Sequence, residues 1–110
     1  MENKNLINCT PHAVTIVNNE NKIVLFLEKG TIVPRLTQTS KVVGEILGIP
    51  ITSTVFGDTI DLPDPVDGTY YVVSRLVLSA NPDRKDLLVP NDVVRDEKGN
   101  IIGCRSLANN

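Results

Sequence analysis

The chain has 110 residues, 41% of them hydrophobic and 22% charged, with a net charge of −2. That balance excludes wholesale disorder and fits one domain, 1–110, with a single core. It also argues against general nucleic-acid binding, which needs a basic surplus to displace condensed counterions.

The apolar residues are 14 Val, 10 Ile and 11 Leu against only 3 Ala. β-Branched side chains are stiff at χ1 and suit a pleated surface, so this usage predicts a β-rich fold. Two cysteines, Cys9 and Cys104, are too few for a secreted disulfide scaffold. The start, "MENKNLINCTPH", lacks the apolar core of a signal peptide, and no apolar run reaches the roughly 20 residues that cross a bilayer. The expected setting is the cytoplasm, of the host cell if the chain is phage-encoded, with no membrane partner.

"NLINCT" at 5–10 reads as a short strand stopped by Pro11. "AVTIV" at 13–17 and "KIVLFL" at 22–27 flank "NNEN", a tight-turn sequence, and predict a first hairpin. The run Ile23–Leu27 is apolar at every position, which predicts burial on two faces. "RLTQTSKVVGEI" and "IPITSTVFG" flank a turn at Gly48 and predict a second hairpin, with Thr52, Thr54 and Phe56 on one face.

Pro63, Pro65 and Gly68 exclude a regular helix from 58–68, which reads as an ordered loop anchored by Ile60 and Leu62. Its four aspartates read as turn formers; their spacing lacks the pattern of a calcium loop. "TYYVVSRLVLSA" begins as a strand. It then either continues extended or turns into a short helix near 74–81, capped by Ser74 with Leu76, Val77 and Ala80 inward. "DVVRDEKGNIIGCRSL" is a further hairpin, turning at "DEKGN". Gly103 within it marks a bulge or a close backbone approach. The expected fold is therefore mainly β: a single small antiparallel, barrel-like or rolled sheet with at most one short helix.

"NLINCTPHAVTIV", "VGEILGIPITSTVFGD" and "LPDPVDGTYYVVSRLVLSANPDRKDLLVPNDVVRDEKGNIIGCRSL" together resemble a family of small proteins of bacteriophages, prophages and bacteria. The usual start of that family is closer to Asn-Leu-Thr-Pro-His, so this chain has Ile7 to Cys9 as extra residues between Leu6 and Thr10. The resemblance implies a phage-type origin and a compact domain, and it implies no catalytic role.

His12 is the only histidine, suited either to ligand contact or to acid–base work if a partner tunes it. Cys9 and His12 form a C-x-x-H pair without the second pair that structural zinc requires, so no metal is expected, and no cofactor. Arginine forks suit carboxylate or phosphate, and Thr10, His12, Ser74, Arg75, Arg84, Arg95 and Arg105 form the candidate binding set. Against this, Arg84 has Asp83 and Asp86 as sequence neighbours, and Arg95 has Asp92 and Asp96.

Three functions follow as expectations. The first is a non-enzymatic binder that sequesters an anionic host small molecule such as a signalling nucleotide. The second is a small hydrolase acting on a phosphate-containing substrate, with His12 as acid/base. The third is a protein-interaction or virion-accessory module that works through a sheet edge or the proline-rich loop. Self-association as a homodimer is expected, because edge strands need cover.

Overall fold

The computed structural model describes residues 4–110. Eight strands and one helix follow in the order β1 (Asn5–Asn8), β2 (Val14–Val17), β3 (Ile23–Leu27), β4 (Arg35–Ile46), β5 (Ile49–Ile60), β6 (Thr69–Val72), α1 (Arg75–Ala80), β7 (Leu87–Arg95) and β8 (Ile101–Ala108). Six strands make one sheet, ordered β1-β6-β7-β8-β2-β3, and β4–β5 stand apart as a two-stranded ribbon. The mainly β, rolled architecture with one short helix agrees with the composition.

The pairing is mixed rather than wholly antiparallel. β1 runs parallel to β6, β6 to β7, and β2 to β8. The reason lies in the connections. Residues 73–86, including α1, join β6 to β7, and a crossover of about a dozen residues is what a parallel pair needs. Ser74 caps α1 as expected, its Oγ accepting from the Val77 amide at 3.3 Å. The inward face of α1 is Val77 and Leu78, whereas Leu76 and Ala80 are exposed. A helix of 6 residues makes under two turns, so its stripe follows its tilt on the sheet more than its sequence period.

Alternation along β6 divides the core in two. Tyr71 and Val73 join Cys9, Val77, Leu78, Leu87 and Val89 on the helix side. Val72 points the other way and meets Val14 and Cys104. β6 is thus buried on both faces, the role that the sequence assigned to β3.

β3 does the opposite of what its composition predicts. It is the edge strand beyond β2, and Ile23, Val24 and Phe26 are 66%, 60% and 54% exposed. The sheet order removes its second neighbour, leaving its outer backbone groups unpaired among the described residues, and Ile23 to Phe26 are exposed on both faces of the sheet.

The three hairpin turns form as read. Asn21 takes φ 60°, Leu47 and Gly48 take 52° and 79°, and Gly99 takes 85°. Leucine in the left-handed region is rare, and Leu47 is also the most exposed large apolar residue, at 94%. Asp96 caps the last turn, accepting from the Lys98 and Asn100 amides at 2.9 Å each. Gly103 is a close approach: a Cβ there would lie 3.0 Å from the Thr15 carbonyl oxygen.

Candidate functional site

Arg84, Arg95 and Arg105 each donate to a different group of the chain. Arg84 lies before β7 begins and Arg95 ends it, and eight strand residues between them span about 26 Å. Arg84 is committed: it donates to both oxygens of Asp86, at 2.8 and 2.9 Å, and to the Pro63 carbonyl at 2.9 Å. That geometry holds the Asp86 carboxyl below its usual range and pushes the guanidinium further up. Arg95 closes over its own turn, donating to the Gly99 carbonyl at 2.8 Å. Its sequence neighbours Asp92 and Asp96 are not its partners. Arg105 sits in the middle of β8 and donates to Asn21 Oδ1 at 2.6 Å, tying β8 to the β2–β3 turn.

Thr10, Ser74 and Arg75 follow the C-terminal ends of the parallel neighbours β1 and β6. The hydroxyls of Thr10 and Ser74 already serve the fold, whereas the Arg75 side chain is exposed. Ser74 caps α1, and Thr10 Oγ1 lies 2.7 Å from Asn8 Oδ1 and 2.8 Å from the His12 carbonyl. The His12 side chain is exposed, and its backbone carbonyl is the part the structure uses. Among the described residues no group of three or more His, Cys, Asp or Glu side chains comes together as a metal site.

Asn8 lies outside the candidate set that residue type suggests. It is buried at 7% exposure, donates to the His12 and Glu28 carbonyls at 2.8 and 3.0 Å, and accepts from the Thr10 amide at 3.0 Å. One amide thus joins β1, the turn after it and the segment leaving β3. Gly30 completes the joint, its amide donating to the Thr10 carbonyl at 2.7 Å with no room for a Cβ beside the Asn8 carbonyl. The available signal was an Asn two residues before a Thr-Pro turn, where a side-chain-to-backbone bond is favoured.

Cys9 and Cys104 are free, buried thiols. Burial pushes both up, and for Cys104 backbone amide bonds offset this in part. Because the thiolate is the reactive form, both should react with an aromatic disulfide reagent at least about 100-fold more slowly in the native than in the urea-unfolded protein. A thiol that reacts rapidly in native buffer would show that the strand carrying it opens.

Besides two clefts beside Ile32 and Pro63, of ≈ 490 and ≈ 270 Å³, three surface features of the described residues are places where something could bind. A cleft of ≈ 400 Å³ beside Arg84 is lined by Asp67, Asp83 and Asp86 as well as Arg84 and Lys85. Three carboxylates against two cations make it a poor seat for an anion. A second cleft, ≈ 280 Å³, is apolar and lies over β2 and the β7–β8 hairpin, between Val14, Val93, Ile101 and Ile102. The third is the open edge of β3. From Ile23 to Leu27 it carries no charge, no proline and no partner on its outer side among the described residues. Natural edges are normally blunted by such devices, and the one β3 shows is a bulge at Val24, where its register with β2 shifts between Ile16 and Val17.

No described helix is long and apolar enough to cross a membrane. Comparison with known protein families, curated proteins and solved structures finds no match for this chain.

Proposed function

We propose that this chain is a non-enzymatic protein-interaction module that adds an extended segment of another protein to the open edge β3. The observation that carries this reading is the edge itself: five consecutive apolar residues whose outer backbone groups lack a strand partner. Such an edge offers amides and carbonyls for affinity, and alternate side-chain positions for selectivity. The resemblance to phage and prophage proteins points to a host or viral protein as the partner. The bonds of the arginines support this reading over capture of an anionic small molecule, because Arg84, Arg95 and Arg105 each donate to a group of the chain itself and Arg84 lies about 26 Å from Arg95 along β7.

Amide hydrogen exchange tests it. The amides of Ile23–Leu27 that face outward should exchange rapidly in the isolated protein and become protected once a co-purifying partner is added. The double variant V24K/F26K should lose that partner while keeping its thermal midpoint within about 2 °C, since both side chains are exposed. A thermal midpoint raised by a nucleotide, with β3 exchange unchanged, would sink the edge reading and support small-molecule sequestration instead.

A further inference from the structure

The hairpin β4–β5 lacks the support that a two-stranded ribbon requires. Every residue from Thr37 to Asp58 is exposed, and this includes Val42, Ile46, Leu47, Ile49, Val55 and Phe56. Strand register puts Ile46 with Ile49 and Thr39 with Val55 on one face, and Gln38 with Phe56 and Val42 with Thr52 on the other. The first face, with Ile51 beside Ile46, Ile49 and Val55, is therefore mainly apolar, while the second sets Val42 and Phe56 among Gln38, Ser40, Glu45, Thr52 and Thr54. Only the base is held, where Asn81 Nδ2 donates to Thr59 Oγ1 at 3.0 Å and α1 lies against β4. An isolated hairpin is marginally stable at best in water.

The dimensions of the whole molecule carry the same message. A compact 12.0 kDa monomer exposes about 6,000 Å², and this chain exposes 7963 Å². Its Cα radius of gyration is 17.3 Å, against about 13 Å for a compact chain of this length. The surplus of roughly 2,000 Å² exceeds the roughly 800 Å² that a standard interface takes from each partner and falls in the range of obligate dimers.

We propose that β4–β5 is an arm by which two copies of this chain hold each other, each hairpin lying against the apolar surface of the other copy. Two observations select a second copy as the occupant. The chain carries both complementary parts, the apolar arm and the separate apolar cleft between Val93, Ile101 and Ile102. The arm is also self-compatible in charge: Arg35 and Lys41 balance Glu45 and Asp58, so identical arms do not repel. A two-fold pairing uses each surface twice and closes without leaving an open arm. This goes beyond the edge reading, since it rests on a different element.

Light scattering coupled to size exclusion on the full chain, at about 10 μM, tests the arm. The expected mass is twice 12.0 kDa. The triple variant I46T/L47N/I49T keeps strand-forming residues at the two Ile positions, and its Asn suits the positive φ at Leu47. It should raise the dimer Kd at least about 100-fold. V24K/F26K should stay dimeric, which separates the arm from the β3 edge. A wild-type monomer at that concentration would overturn the proposal. So would a triple variant that dimerises like wild type, or a dimer lost only in V24K/F26K. A triple variant that fails to fold is replaced by Val42→Lys with Phe56→Lys, read the same way.

Discussion

Asn8→Ala is expected to lower the thermal midpoint by on the order of 12 °C. The side chain makes contacts to three backbone groups, on Thr10, His12 and Glu28, from a nearly buried position. Alanine removes every one. A lost hydrogen bond costs about 1 kcal/mol net, and a buried group left without a partner costs about 1–3 kcal/mol. The total comes to about 3 kcal/mol, at about 4 °C per kcal/mol for a domain of this size. Thr10→Ala removes only the hydroxyl and should cost about 1 kcal/mol. Asn8→Asp separates geometry from hydrogen bonding. It keeps the shape and the acceptors for Thr10, but its carboxylate faces the His12 and Glu28 carbonyls with no hydrogen to donate. Differential scanning calorimetry should therefore rank wild type, Thr10→Ala, then Asn8→Ala and Asn8→Asp together at the bottom. If Asn8→Asp matched wild type at neutral pH, the two donor bonds would contribute nothing. The consequence reaches function: this joint fixes where the chain leaves β3, so loosening it loosens the edge.

The second large effect is Arg84→Ala, at about 2–3 kcal/mol. The two side chains are 19% and 18% exposed, so the pair is screened less than a surface pair. Removing Arg84 strands the Asp86 carboxylate and leaves the Pro63 carbonyl without its donor. Arg84→Lys should recover about half, because an ammonium lacks the planar fork that reaches all three oxygens. The pair also sets a pH dependence. The Asp86 carboxyl is held below its ordinary 3.8, chiefly by the Arg84 bond. Its contribution is complete above the unfolded value and disappears as pH falls through the lower, folded value. Urea midpoints measured from pH 7 down to pH 2 should therefore fall steeply below about pH 4. In Arg84→Ala the fall should be shallower. It should not vanish, since the turn amides also hold the Asp96 carboxyl low. A constant gap between the two proteins across that range would show that the pair does not govern acid sensitivity.

Local features of the chain were legible without coordinates, and the reason is that they depend on neighbours in sequence. The turns at Asn21, Gly48 and Gly99 follow from backbone freedom at those residues. The cap at Ser74 and the Arg84–Asp86 pair follow from groups two or three residues apart. Burial of Cys9 and Cys104 follows from their type. The features that failed were those set by order in space. An unbroken apolar run such as Ile23–Leu27 fits a central strand, an edge awaiting a partner, or an intermolecular contact, and hydropathy does not separate them. The separation of the arginines depends on which strands they occupy, and Asn8 matters because Glu28, twenty residues away, folds back beside it.

By itself the sequence determined that this chain is mainly β and turns at three predictable places, and it left the segment after Ser74 open between a strand and a short capped helix, which the structure resolves as α1. Tertiary structure alone decided that β6, not β3, is the doubly buried strand, that β4–β5 stands clear of the sheet, and that the arginines go to separate duties. Turn and strand formation are driven by torsional and steric preferences within a few residues. Strand order is a competition among long-range pairings, decided by the summed burial of both faces, and no local window contains that sum.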